Sequence, residues 1–279
     1  MGTYLDEILD FHRERSKDDV RSLDALVEKT TEFEPARGFG KSLLDTPDDE
    51  VAVIAEIKRR SPSLGLLLEN LTPSELGREY EQGGASALSV LTDEKHFDGS
   101  SVDLQEAREA TSLPVLRKDF TVDLRDICDA RIMGADAVLL IAAALDDYEL
   151  KDFFALSNEL NLDALVEVHD EREVERALGI EAKIIGVNQR DLQTFEVDTK
   201  RALKIGTLLP ESVIKVAESG IKSPNDIEEL RSVNYQAVLV GEYLVRSEDR
   251  SKQVAELRKA TPEEDRQGIT YVYKNMWSH

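Results

Sequence analysis

The chain has 279 residues and a mass of 31.3 kDa, enough for one large domain or two small ones, and its 41% hydrophobic content supports a sizeable core. With 57 acidic against 35 basic residues the formal charge is −22, which repels nucleic acid and anionic membranes and argues against either as a partner. The single cysteine, Cys128, excludes an internal disulfide and suits a reducing compartment. It falls in a predicted helix and reads as an inert packing residue. No apolar stretch approaches the roughly 20 residues of a membrane span. Met1 to Ser16 mixes charges with apolar residues and has no signal-peptide core, so a cytoplasmic location is expected. Acidic runs such as Asp45-Thr46-Pro47-Asp48-Asp49-Glu50 and Pro262-Glu263-Glu264-Asp265 read as solvated surface. A surface this acidic loses stability to self-repulsion at low salt, which points to the high-salt cytoplasm of a halophile.

In chain order, residues 1–45 form a helical extension. Val51 to Ala55 is then the first of a series of short apolar runs, each ending on a charged or amide side chain. Thr72, as N-cap, and Pro73 open a helix that runs to Gly83-Gly84. Ala87 to Leu91 precedes a helix over 101–111, and Leu113 to Lys118 one from Val122 to Met133, stopped at Gly134. Ala137 to Ile141 precedes a helix over 146–159, and Ala164 to Val168 one over 170–178, closed by Gly179. Lys183 to Asn188 precedes a helix near 198–207, Val213 to Glu218 one over 224–232, and Gln236 to Val240 one over 247–259. Eight strand–helix pairs at a mean spacing of roughly 26 residues predict an α/β fold, a (β/α)₈ TIM barrel. A doubly wound open sheet competes, but it does not need eight units. The barrel domain is expected over 46–260, with a polar tail over 261–279 carrying Tyr271, Tyr273 and Trp277.

A parallel barrel places its chemistry at the C-terminal ends of its strands, where this chain gathers polar residues. By the two-residue period Ala52, Ile54, Glu56 and Lys58 share one face, so both ionisable groups point into the barrel mouth. Such a pair is either an internal ion pair or functional, since unpaired buried charge is costly. Lys118 and Glu167, which end other strands, tip the reading towards function, because clustered ionisable groups are where pKa values are tuned. At the other side of the barrel, Glu218-Ser219-Gly220 and Gly241-Glu242 follow strands seven and eight. Glycines there let backbone amides approach a phosphate, although ordinary turns explain each one singly. The histidines His12, His96, His169 and His279 show no paired metal-ligand spacing, and His169, at a helix start, is expected in solvent. No P-loop or dinucleotide fingerprint occurs, so neither a metal nor a nucleotide cofactor is expected.

These motifs resemble the indole-3-glycerol phosphate synthase family. The matching residues are Glu56-Ile57-Lys58-x-x-Ser61-Pro62, Leu91-Thr92-x-Glu94-Lys95-x-Phe97-x-Gly99-Ser100, Lys118-Asp119-Phe120, Glu167, Gly186-Val187-Asn188-x-Arg190-Asp191-Leu192 and Ala217-Glu218-Ser219-Gly220-Ile221. They run in order from about residue 50 to 250. The resemblance implies conversion of 1-(o-carboxyphenylamino)-1-deoxyribulose 5-phosphate to indole-3-glycerol phosphate, with loss of CO₂ and water. It makes Lys118 the candidate general acid and Glu167 the candidate for proton transfer at the departing hydroxyl. Lys58 is left to pair with the substrate carboxylate or to act in the dehydration. Glu56, Asn188 and Glu218 would orient these groups and the substrate hydroxyls. Arg190 resembles the family's partner for the anthranilate carboxylate. Phe97, Phe120, Leu139, Leu192 and Pro62 resemble its ring pocket, and barrel-top packing explains those five equally well. Ser61, Gly220 and Gly241 would hold the phosphate. The implied partner is a small phosphorylated substrate, and the chain is expected as a monomer or weak dimer.

Two positions depart from the pattern: Gln189 stands where Ser or Asn is usual, and Glu242 where Ser is frequent. A carboxylate beside a phosphate repels it, so Glu242 should offer its backbone amide and turn its side chain away. Rival readings are another phosphate-binding barrel, of the phosphoribosylanthranilate isomerase or tryptophan synthase α type, and a barrel kept only as a binding module. The first does not need Lys58, Lys118 and Glu167 together. The second predicts loss of at least one of them.

Overall fold

The computed structural model describes residues 3–61, 65–68, 71–191 and 194–259. Pro62, Leu192 and the expected tail therefore lie outside the described residues. Eight parallel strands close into a barrel in chain order: β1 (Ala52–Ile57), β2 (Ala87–Leu91), β3 (Val115–Lys118), β4 (Ala137–Ile141), β5 (Asp163–Val168), β6 (Ile184–Asn188), β7 (Ile214–Glu218) and β8 (Ala237–Val240). β8 pairs back onto β1 with Ala52 opposite Ala237. Helices between the strands cover the outside, so the predicted (β/α)₈ barrel is what forms.

Period-two alternation sorts the strand residues into two cores. Ala52, Ile54, Leu116, Leu139, Leu165, Val216 and Leu239 fill the barrel interior. Val53, Ala55, Val90, Val138, Val166 and Val238 face the outer helices. Three helices precede the barrel: α1 (Tyr4–Lys17), α2 (Leu23–Thr30) and α3 (Phe39–Leu44). α3 plugs the floor. Its Phe39 and Leu43 are fully buried against the interior layer, and the Gly40 N–H donates to Asp163 at 2.8 Å. At the other end α1 begins with a capping box between Thr3 and Asp6 and lies over the mouth.

Several local expectations shift. β3 begins at Val115 rather than Leu113, because Pro114 has no N–H to give a ladder; its carbonyl still accepts from Leu88 at 2.9 Å. Thr72 occupies the N-cap position but its side chain makes no capping bond, leaving the start to Pro73. Gly179 lies inside the last helical turn, and Glu181, at φ 59°, takes the left-handed position instead. The last predicted helix, over 247–259, forms as Arg250–Arg258, capped by Asp249 through the Lys252 N–H, and a short helix that was not predicted, Glu242–Val245, starts directly after Gly241. After β1, Arg60–Ser61 pairs antiparallel with Gly65–Leu66.

Candidate active site

At the C-terminal end of the barrel lies a cavity of about 670 Å³. It is lined by Glu56, Lys58, Ser61, Phe97, Lys118, Phe120, Leu139, Glu167, Asn188, Arg190, Glu218, Ser219, Gly220, Gly241 and Glu242. Every site residue expected from the sequence and described in the structure therefore meets at one place.

Strand register brings the charges together. Leu116, Leu165 and Val216 point inward, so two residues further on Lys118, Glu167 and Glu218 do too. Lys118 Nζ lies 3.4 Å from Glu167 Oε2 and 3.8 Å from Glu218 Oε2. Lys58 Nζ lies 2.6 Å from Glu56 Oε1. Burial alone would push the Lys118 ammonium down, but Glu167, Glu218 and Glu56 outweigh it and hold it above the ordinary lysine range. Burial likewise works to raise Glu167, yet Lys118, His169 and the Asn188 amide hold it well below the usual carboxylate range. Glu218 goes the other way. Burial and the neighbouring Glu167 charge raise it, and its Oε1 has no hydrogen-bond partner among the described residues. The site thus holds a charged ammonium and an ionised carboxylate side by side, with a second carboxyl biased towards its neutral form.

Two glycines make room for this. A Cβ on Gly241 would sit 2.3 Å from Glu56 Oε1, and one on Gly186 would sit 2.1 Å from Glu218 Oε1. A Cβ at Gly241 would therefore press on the Glu56–Lys58 pair. Ser219 adopts φ 67°, an unusual conformation for a residue with a side chain, and polar groups hold it there. Gln189 Nε2 donates to its carbonyl at 2.7 Å, and its hydroxyl donates to Asn188 Oδ1 at 2.9 Å. The sequence could not say whether the Gln189 amide bonds anything; it supports this turn from a buried position.

The cavity is also lined by residues the sequence reading did not assign. Tyr4, Leu5 and Ile8 come from α1, Phe195 from the loop after β6, and Lys222, Tyr243 and Arg246 from beyond β7 and β8. Lys222 and Arg246 add cations near Gly220 and Gly241. The amphipathic pattern of α1 was a signal for a packed helix, but nothing in it said which surface it covers.

One expectation about histidine fails. His169 is not in solvent: its side chain is 13% exposed, with Nδ1 3.1 Å from Glu173 Oε2 and Nε2 3.4 Å from Glu167 Oε1. Burial would depress it, but the two carboxylates raise it to about 10. His12 and His96, far apart in sequence, meet on Asp93, with His12 Nε2 2.7 Å and His96 Nδ1 3.0 Å from Oδ2. These three are close enough to share an ion, their ligand atoms lying within 4.8 Å of one another. The separations are those of hydrogen bonds, however. His12 Nδ1 is buried without a hydrogen-bond partner among the described residues, whereas a metal-bound imidazole ordinarily donates its other N–H. The cluster acts as a clasp tying α1 to the barrel. Around it Phe120 lies 5.5 Å from the His12 ring, and Phe195 lies 5.2 Å from Tyr4.

A (β/α)₈ barrel with paired lysines and glutamates at its mouth, and glycine turns after β7 and β8, has the architecture of a barrel enzyme whose chemistry sits at the strand C-termini. The family model described as "Indole-3-glycerol phosphate synthase" matches residues 5–257, and the chain belongs to that family. Proteins named indole-3-glycerol phosphate synthase from Chlorobium phaeobacteroides and Kineococcus radiotolerans are each 45% identical to it. The first match covers 88% of this chain and 96% of the relative, the second 91% and 94%. One of the same name from Burkholderia ambifaria is 42% identical over 92% of this chain and 99% of its own length. Among solved structures, thiamine phosphate pyrophosphorylase from Pyrococcus furiosus superposes with a TM-score of 0.56 at 18% identity. That match covers 76% of this chain and 96% of the other, a likeness of fold alone. No helix among the described residues is long and apolar enough to cross a membrane.

Proposed function

We propose that the chain converts 1-(o-carboxyphenylamino)-1-deoxyribulose 5-phosphate to indole-3-glycerol phosphate, closing the ring with loss of CO₂ and water. The observation that carries this is the Lys118 ammonium between Glu167 and Glu218 in the mouth of a barrel of this family. Ring closure needs a proton on the C2′ carbonyl oxygen as the aromatic carbon attacks. An ammonium kept charged by surrounding carboxylates is a suitable donor, and Lys118 is assigned that step. Glu167, ionised in the resting site, is assigned the proton transfer that accompanies departure of the hydroxyl. Lys58 either pairs with the substrate carboxylate or serves the dehydration.

Glu56, Asn188 and Glu218 are assigned the orientation of these groups and of the substrate hydroxyls. Arg190 is assigned the anthranilate carboxylate. Phe97, Phe120 and Leu139, with Pro62 and Leu192, are assigned the ring. Ser61 and the amides at Ser219, Gly220, Gly241 and Glu242 would take the phosphate, with Lys222 and Arg246 as added cations. In this reading neither metal nor cofactor takes part, residues 46–260 are the catalytic unit, and residues 1–45 pack on it. The enzyme works as a monomer or weak dimer in the cytoplasm of a salt-rich cell. The test is turnover of the substrate by purified protein, followed by indole fluorescence. Absence of product, with the protein folded in molar salt, would reject the assignment.

A further inference from the structure

His169 belongs to neither the sequence-derived site nor the cavity wall, yet it is buried against the site's carboxylate. It lies two residues beyond Glu167, just past the end of β5, so the two side chains leave the chain on the same side. The contacts divide the work between the two oxygens of Glu167. Oε1 faces His169 Nε2 at 3.4 Å, and Oε2 faces Lys118 Nζ at 3.4 Å. Behind the imidazole, Glu173 Oε2 accepts from both the His169 backbone N–H, at 2.7 Å, and its Nδ1, at 3.1 Å. Glu173 is fixed in turn, its own N–H donating to the helix cap Asp170 at 2.8 Å. His169 is therefore held from behind at its backbone and at Nδ1, and the ring turns its remaining N–H towards Glu167. That Nε2 has no well-aligned hydrogen-bond partner among the described residues, so the contact with Glu167 is an ion pair.

We propose that His169 is a positioning residue for the reaction: anchored by Glu173, its imidazolium fixes Oε1 of Glu167 so that Oε2 alone is presented to Lys118 and the substrate. No proton passes through His169, which does not line the cavity. The role rests on the reading of Glu167 given above. Charge supports it. Glu167 and Glu173 flank the imidazole with carboxylates, and they keep it protonated through the neutral range. A fixed cation on one side of Glu167 and Lys118 on the other leave that carboxylate little freedom to rotate or to take up a stray proton.

The test compares wild type, His169→Gln and Glu173→Gln, each in molar salt. His169→Gln should lower kcat by about 10- to 100-fold with KM changed less than about twofold, a smaller loss than the roughly 10²–10⁴-fold that accompanies removal of a proton-transferring group. Losing the cation raises the Glu167 pKa, so the acid limb of the kcat–pH profile should move to higher pH. Glu173→Gln should move it the same way by less. Unchanged kcat and an unmoved acid limb in both variants would overturn the proposal, as would a fall in melting temperature with full activity per folded molecule. A readout free of substrate separates this from failure of the functional reading. The His169 imidazole NMR signal should titrate near pH 10 in wild type and at clearly lower pH in Glu167→Gln. A His169 signal that titrates alike in both proteins overturns the ion pair whatever the enzyme turns over.

Discussion

The two ends of the barrel are built from the same strands and could hardly differ more. At the floor the inward positions are apolar, Ala52, Leu116, Leu165 and Val216 among them, and α3 seals them with Phe39 and Leu43. Two residues along the same strands, the inward positions become Lys118, Glu167 and Glu218, with Glu56 two beyond Ile54, and all of them are buried or nearly so. Burying apolar area there stabilises the fold at about 25 cal/mol per Å². Burying charges costs free energy unless they pair, so the mouth is the less stable end by construction. The difference teaches where to look for each kind of failure: floor substitutions should unfold the protein, and mouth substitutions should silence it while it stays folded.

The sharpest break is Lys118→Ala. It should cut kcat by about 10²–10⁴-fold or more with substrate affinity largely kept, since the phosphate and ring contacts remain. With the ammonium gone, Glu218, already raised, should be the first to take up a proton. Near-wild-type kcat, measured by indole fluorescence, would remove Lys118 from the chemistry and turn attention to Lys58. The mirror experiment is Phe39→Ala. A fully buried phenylalanine cut to alanine costs about 3–5 kcal/mol, which should appear in a denaturant melt with activity per folded molecule unchanged. If activity per folded molecule falls as far as stability, the two ends are not independent.

Gly220→Ala should act more mildly and on binding. Gly220 has φ 77°, a left-handed conformation costing roughly 1–2 kcal/mol for a residue with a Cβ, and the new methyl would meet Val197 Cγ1 at 2.5 Å. KM should rise more than kcat falls, because phosphate contacts are shared by ground and transition states. Inorganic phosphate inhibiting wild type and variant equally would contradict that placement. The smallest effect is global. The melting temperature should drop as KCl falls from 1 M to 0.1 M and the Debye length grows from about 3 to about 10 Å. A melting temperature indifferent to KCl would make the acidic shell merely solubilising.

How much of this was legible in the sequence follows from the range of the forces involved. Strands and their mouth-facing ends could be read because alternation is local: Glu56 and Lys58 declare their face within four residues. The glycines after β7 and β8 could be expected side by side because barrel topology fixes which loops neighbour one another. What could not be read depends on contacts across the fold. Glu173, four residues beyond His169, is a local signal that could have placed the imidazole, whereas nothing near His12 announces Asp93. Gln189 looked like a departure from the family pattern, and only the unusual backbone of Ser219 explains what its amide does. The last helix begins at Arg250 rather than 247 because Asp249 is its cap, which shows only when the carboxylate is seen on the Lys252 N–H.

The acidic exterior bears on arrival as well as on folding. A substrate carrying a phosphate and a carboxylate approaches a chain of formal charge −22, so at low ionic strength the long-range field turns it away before Lys222, Arg246 or Arg190 is near enough to attract it. Encounter is then slowed by the same carboxylates that crowd the surface. Added salt erases the distant repulsion sooner than the short-range pull inside the mouth, where charges are only a few ångströms from the ligand. For such an enzyme kcat/KM should climb with KCl at fixed viscosity, the reverse of the behaviour of an enzyme whose surface steers its substrate inward. A kcat/KM that falls steadily with KCl would show that the local cations, not the shell, govern the approach.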